Sequence, residues 1–75
     1  MPEIAGRQYE VIAGSDPPES DGMYLELYEA AEQLLEVFYS DADGSMTFSA
    51  YRQDLPLVVV EWAIAEGKAR LTPLH

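Results

Sequence analysis

Carboxylates are the most abundant side chains in this sequence that could do chemistry. The chain of 75 residues has 14 Asp and Glu, 4 Lys and Arg, and one His. Catalysis by a carboxylate pair requires a cleft that separates the two pKa values, and a chain this short rarely forms a deep cleft. A Ser–His–Asp set cannot form in mid-chain, because the only imidazole is His75. We therefore expect a protein that is not an enzyme.

One acidic segment has the spacing of a metal-binding motif. The run Asp41-Ala42-Asp43-Gly44 matches part of a calcium loop whose sixth position is glycine. That alignment places Tyr39 first and Ala50 twelfth, where the loop requires carboxylates. The chain has no Cys, and no glycine run precedes a helix. The sequence therefore predicts neither a metal ion nor another cofactor.

The same Asp-Gly pair is a strong signal for a β-hairpin. It lies between runs rich in β-branched and aromatic residues, which predicts strands over about 34–40 and 45–51. The alternation over residues 7–13 predicts another strand. Residues 1–6 are expected to be a flexible N-terminus, and residues 14–22 an acidic loop that contains Pro17 and Pro18. We expect one domain, residues 1–75.

Residues 23–39 can be interpreted in two ways. Tyr24, Leu27, Tyr28 and Ala31 have helical spacing, and the Glu- and Ala-rich composition favours a helix. A helix would, however, bring glutamates of the same charge together at i,i+3 and i,i+4 spacing. Residues 37–39 must also be extended for the Asp-Gly hairpin to form. We therefore interpret 23–28 as a strand followed by a turn at 29–33, although that turn lacks Gly, Pro and Asn.

The C-terminal segment predicts one helix over about 55–70. Asp54 could cap it, Pro56 fits its first turn, and Lys68 and Arg70 lie in its last turn. The predicted fold class is therefore α+β. It is a four-stranded antiparallel β-meander with one C-terminal α-helix packed on one face.

The predicted helix is apolar on two sides. One stripe is expected to face the sheet, and it consists of Leu55, Val58, Val59, Trp62, Ala65 and Ala69. The second stripe is nearly opposite and consists of Leu57, Val60, Ile64 and Leu71. Because so short a chain cannot cover both, we expect the second stripe to form a homodimer interface. The alternative is that residues 1–6 or the 14–22 loop cover it.

The strands also predict two distinct sheet faces. The core face is expected to contain Val11, Leu25, Leu27, Leu35, Val37, Met46, Phe48 and Ala50. The opposite face combines aromatic rings and carboxylates, and its predicted partner-binding residues are Tyr24, Glu26, Tyr28, Glu36, Phe38 and Tyr51. Such a surface suits a basic protein or a second sheet. The alternative is that these residues form cross-strand pairs that only stabilise the sheet.

The net charge of −10 argues against binding to nucleic acids or anionic membranes, which requires clusters of Lys and Arg. It favours a basic partner, or it reflects an organism adapted to high salt. No apolar run reaches about 20 residues and no signal-peptide pattern is present, so we expect a cytoplasmic protein. The function expected is a small acidic protein–protein interaction module. The alternatives are an inhibitor or immunity-type protein that blocks a basic nuclease or nucleic-acid-binding partner, and a small-ligand-binding module.

Overall fold

A computed structural model describes residues 2–15 and 22–71 and confirms the predicted fold class. A four-stranded antiparallel sheet has the order β3-β4-β5-β6, and a separate antiparallel pair joins β1 and β2. The helix packs mainly on β4 and β5. The elements are β1 (Glu3–Ile4), β2 (Arg7–Gln8), β3 (Glu10–Ser15), β4 (Gly22–Glu29), β5 (Glu32–Ser40), β6 (Met46–Ala50) and α1 (Leu57–Leu71).

The ambiguous segment forms two strands joined by a tight turn. Glu29 of β4 pairs with Glu32 of β5, so only Ala30 and Ala31 form the loop. Both alanines have positive φ, 51° and 68°, as a type I′ hairpin turn requires. The two strand predictions over 23–28 and 34–40 are confirmed. The predicted turn lacked Gly, Pro and Asn, the residues usual in turns. In the structure two alanines occupy its positive-φ positions, where Asn and Gly are normally favoured.

A β-bulge places an additional leucine in the core. Leu27 pairs with Leu35 and Tyr28 with Gln33, so Leu34 has no partner on β4. Leu34 and Leu35 are both fully buried. The Leu34 carbonyl accepts a hydrogen bond from the Tyr51 N–H at 2.8 Å. The bulge therefore turns two consecutive side chains inward, which strict alternation along a strand does not allow.

The Asp-Gly hairpin forms as predicted, with β6 spanning Met46–Ala50 rather than 45–51. Gly44 adopts φ 73° and donates its N–H to the Ser40 carbonyl at 2.9 Å. The Asp43 carboxylate accepts hydrogen bonds from the N–H of Ser45 at 3.0 Å and from its hydroxyl at 2.8 Å. These two hydrogen bonds, the backbone one first, lower the pKa of Asp43. The carboxylate therefore stabilises the loop in its ionised form.

The N-terminal predictions require correction. The predicted strand 7–13 is divided into β2 and β3, and Tyr9 between them is buried. Glu3–Ile4 pairs with Arg7–Gln8, and Ile4 is buried in the core, so the expectation of a flexible end is wrong for these residues. The reason is that a two-residue turn with positive φ and two buried side chains hold the hairpin in place. Of the predicted 14–22 loop, residues 14, 15 and 22 belong to strands, and 16–21 lie outside the described residues.

The helix begins at Leu57, two residues later than predicted. The Pro56 carbonyl accepts the first helical hydrogen bonds, from the N–H groups of Val59 at 3.0 Å and Val60 at 3.2 Å. Asp54 has a positive φ of 59° and lies two residues before that carbonyl. The chain therefore turns sharply at Asp54 and enters the helix at Pro56.

Small residues determine which side of α1 faces the sheet. Ala63 and Gly67 are both buried, one turn apart. A Cβ added to Gly67 would lie 2.8 Å from Cγ1 of Val37, so the helix backbone lies directly on the β5 side chain. The buried residues of α1, spaced by four, are Val59, Ala63, Gly67 and Leu71.

This orientation corrects the predicted helix stripes. Val59 is buried and Leu55 and Trp62 pack against the core, as predicted. The other three residues of the predicted sheet-facing stripe are exposed, and they are Val58, Ala65 and Ala69. The sequence prediction assigned the sides of the helix by hydrophobicity alone. Close contact with the sheet requires small side chains, so α1 is rotated about its axis relative to the predicted orientation.

Candidate functional site

The face of the main sheet opposite α1 brings together the six predicted partner-binding residues. Tyr24 lies directly opposite Phe38, and Glu26 directly opposite Glu36. Directly paired residues of antiparallel strands share a face. Tyr28 continues this face along β4. Tyr51 follows β6, and its hydroxyl donates a hydrogen bond to the Glu36 carboxylate at 3.1 Å. The structure therefore places all six on one surface, which we call the outer face, and its binding role stays a prediction.

Two carboxylates oppose each other at the centre of the outer face. Glu26 accepts a hydrogen bond from the Tyr28 hydroxyl at 3.0 Å, and Glu36 accepts the one from Tyr51. Like charges directly opposite on neighbouring strands are destabilising. Within residues 2–15 and 22–71, the salt bridges of Arg7 and Arg52 are made with Glu29 and Glu32 instead. Among the described residues, hydroxyl groups are therefore the side-chain donors to this central pair, and no basic side chain forms a salt bridge with it.

Sequence reasoning missed one apolar member of this surface. Ile12 of β3 pairs with Glu26 and is exposed. The alternation along residues 7–13 had already separated Ile12 from Val11, so the signal was present in the sequence. The outer face therefore combines an aliphatic side chain with rings and carboxylates.

The tyrosine–carboxylate contacts predict a specific loss of stability at high pH. Hydrogen bonding to Glu26 raises the pKa of Tyr28, and hydrogen bonding to Glu36 raises that of Tyr51, both from 10.0. The folded state thus holds these protons more tightly than the unfolded state. Their contribution to stability is full below pH 10 and is lost as the pH rises through the raised values. We expect the melting temperature to fall more steeply above about pH 10 than it does in Y28F/Y51F.

The check is a series of melting curves from about pH 9 to about pH 12, with tyrosinate absorbance recorded in parallel. Tyr24→Phe is the matched control, because this ring lies on the same face but its hydroxyl donates to no carboxylate in the described part of the chain. Y24F should keep the steep profile. Identical profiles for the native chain and Y28F/Y51F would contradict the prediction.

A second surface lies where α1 leaves the sheet uncovered. A helix is about 10 Å wide and strands lie about 4.8 Å apart, so one helix covers about two strands. Because α1 packs mainly on β4 and β5, the inner face of β6 stays partly open. Phe48, which was predicted to face the core, points to this inner face but is 42% exposed. Ala50, on the same face, is also exposed.

The open strip continues onto the helix. A cavity of about 200 Å³ between β6 and α1 is lined by Val37, Met46, Thr47, Phe48, Ile64 and Lys68. Phe48 also lines a neighbouring depression together with Val60. Leu57 and Ile64 are 71% and 40% exposed, and they lie on the same side of α1 as Val60. We call the surface formed by Phe48, Leu57, Val60 and Ile64 the β6–α1 groove.

The structure divides the four residues of the predicted dimer stripe, whose role in a dimer stays a prediction. Leu57 and Ile64 are exposed and Val60 is half-buried, and these three belong to the β6–α1 groove. Leu71 is only 1% exposed and belongs to the core, so assigning it to an interface was wrong. It lies four residues beyond Gly67, and the rotation of the helix that buries Gly67 also buries Leu71.

Residues 2–15 and 22–71 contain no group of three or more His, Cys, Asp or Glu side chains that could hold a metal ion. In the same part of the chain, α1 lacks the length and apolarity of a membrane-spanning helix.

Comparisons with known proteins found no similarity on which a function could be based. No protein-family model matches the chain. Neither the search of curated proteins nor the search of solved structures produced a match.

Proposed function

We propose that this protein is a small acidic protein–protein interaction module without catalytic activity, and that it forms a homodimer through the β6–α1 groove. The observation that carries the proposal is the exposure of three large apolar side chains on adjoining elements, Phe48, Leu57 and Ile64. Contiguous exposed apolar surface on a small domain indicates an interaction site. A second copy is the simplest occupant, because a two-fold axis brings the same apolar surface from both sides.

The size of the domain supports self-association. A chain of 75 residues buries only about 60–65% of its unfolded surface, so such domains gain from disulfides, metals or oligomerisation. Cysteine is absent from the sequence, and the described residues hold no metal-binding cluster. Oligomerisation is the reinforcement that this composition permits.

A double substitution in the groove tests the homodimer. L57E/I64E places two carboxylates on the proposed interface, at positions where the side chains are exposed in the single chain. Losing two buried apolar side chains, each worth about 1.5–3 kcal/mol, should weaken dimerisation by about 100-fold or more. We expect sedimentation velocity over a concentration series to show a dimer for the native chain and a monomer for L57E/I64E.

Ala65→Glu is the control for an added carboxylate on α1, because it places one such charge at an exposed position on another side of the helix. A65E should remain dimeric, and circular dichroism should be the same for all three proteins. A native chain that stays monomeric at every concentration would refute the proposal. If L57E/I64E is still dimeric, the dimer interface lies outside the groove.

The second candidate function is an inhibitor or immunity-type protein whose outer face covers a basic partner. The Glu26–Glu36 pair favours it, because these two carboxylates lie opposite each other and no basic side chain of the described residues forms a salt bridge with them. Salt separates the two candidates. Two copies of charge −10 repel each other, so added salt should strengthen the homodimer, whereas it should weaken capture of a basic protein.

A further inference from the structure

The hydrogen bonds of β6 show which of its backbone groups point to the open edge of the sheet. The Ser45 carbonyl accepts from the Ser40 N–H at 2.9 Å, and the Tyr51 N–H donates to the Leu34 carbonyl at 2.8 Å. In an antiparallel pair such contacts recur at every second residue. Thr47 and Ser49 therefore bond to β5, and the N–H and carbonyl groups of Phe48 point away from it.

This edge lacks three of the features that commonly prevent strand addition, namely charged side chains, proline and a β-bulge. β6 is Met-Thr-Phe-Ser-Ala, with no charge and no proline, and its register with β5 is uninterrupted by a bulge. Natural edge strands are commonly protected by such features. Among the described strands, β6 is the last of the main sheet on this side. Its backbone can therefore accept another extended strand.

We propose that the two copies of the homodimer join by antiparallel pairing of β6 with β6, centred on Phe48. This inference rests on the proposed homodimer and specifies its geometry. A two-fold axis through Phe48 places this residue opposite itself and Met46 opposite Ala50 of the second copy. Thr47 then lies opposite Ser49 of the second copy. No charged side chains face each other along the new strand pair, and the sheet becomes continuous over eight strands.

The β6–α1 groove fits this arrangement. With the axis perpendicular to the sheet, both helices lie on the same side and flank the paired phenylalanines. Ile64 and Val60 line the β6 side of α1, so both helices turn apolar side chains toward the axis. The charges at the two ends of β6 are opposite in sign, which also favours antiparallel pairing. The loop with Asp41 and Asp43 precedes β6 and Arg52 follows it, so antiparallel pairing brings each Arg52 toward the acidic loop of the other copy.

A mixed disulfide tests the register. In the proposed pairing Phe48 is the hydrogen-bonded pair, so Thr47 and Ser49 of the second copy form a non-hydrogen-bonded pair with Cα atoms about 4.5 Å apart, within disulfide range. Both side chains are exposed, and the natural chain has no cysteine. The experiment mixes T47C with S49C under mild oxidation and measures covalent dimer on a non-reducing gel.

The two variants incubated separately are the matched controls. In each alone, like cysteines lie two residues out of register and beyond disulfide range, so we expect at least about ten times more covalent dimer in the mixture. Hydrogen exchange of the native chain gives a second measurement. The Phe48 N–H should be protected in the dimer and should exchange rapidly in L57E/I64E.

The outcomes separate this inference from the function on which it rests. Abundant disulfide in the mixture with a protected Phe48 N–H supports β6 pairing. A native dimer by sedimentation that gives neither result overturns the β6 pairing and leaves the homodimer in place. A monomeric native chain overturns both.

Discussion

Replacing Gly67 by alanine is expected to destabilise this protein, although alanine is the better helix former. The gain in helix propensity is about 1 kcal/mol. The new Cβ would lie 2.8 Å from Cγ1 and 3.3 Å from Cβ of Val37, a stiff β-branched side chain that is itself buried. Overpacking of this kind costs about 1–3 kcal/mol, and so short a contact with a stiff side chain belongs at the upper end of that range. We therefore expect a net loss of up to about 2 kcal/mol in the free energy of unfolding by denaturant. Leucine at this position should be more damaging still.

A double-mutant cycle with Val37→Ala makes the prediction decisive. Removing both Cγ atoms of Val37 removes the 2.8 Å contact and leaves only Cβ at 3.3 Å, a distance that a small shift of the helix can relieve. In the V37A background, G67A should therefore stabilise the protein, because the helix propensity is gained and part of the cavity is filled. The change in unfolding free energy caused by G67A is therefore expected to have opposite signs in the native and V37A backgrounds. A G67A variant that is stabilising with Val37 present would show that α1 does not lie this close to β5.

Replacing Ala30-Ala31 by Asn-Gly should have a large effect in the opposite direction. Both alanines have positive φ, a conformation that costs an L-residue roughly 1–2 kcal/mol, whereas Asn-Gly is the preferred pair for a type I′ turn. After the greater chain entropy of glycine in the unfolded state is deducted, we expect a gain of about 1–2 kcal/mol. In a domain of this size each kcal/mol raises the melting temperature by about 4–8 °C.

Ala65→Gly is the control for a general effect of glycine. It lies on the exposed side of α1, where glycine should cost about 1 kcal/mol. Opposite shifts in melting temperature for A30N/A31G and A65G would confirm that the benefit comes from the turn. A decrease for A30N/A31G would show that residues 30 and 31 do not form this turn in solution.

The two candidate surfaces differ in how they depend on the fold. The outer face lies on β3, β4, β5 and the residue that follows β6, and all of its residues come from a single copy. The β6–α1 groove exists because one helix does not cover four strands, and in the proposed homodimer a second copy covers it. Substitutions at Glu26 and Glu36 should therefore leave dimerisation intact, and groove substitutions should leave the outer face intact.

The sequence by itself determined the features that depend on local periodicity. Asp43-Gly44 defined the hairpin, and alternation over β4 and β5 separated Leu25, Leu27, Leu35 and Val37 from the outer face, because a period of two assigns each side chain to one of two sides. The net charge and the absence of cysteine were also available from composition. The location of α1 followed from the Pro-flanked apolar segment.

The tertiary structure decided what depends on contacts between elements. The rotation of α1 was set by the fit of Ala63 and Gly67 against the sheet, which buried Leu71 and left Leu57 exposed. The Ala30-Ala31 turn was imposed by the pairing of β4 with β5, against the local preference of alanine. Phe48 has the alternation of a core residue, and the strand pattern alone predicts that it is buried. It is exposed because α1 lies over β4 and β5 and does not cover β6.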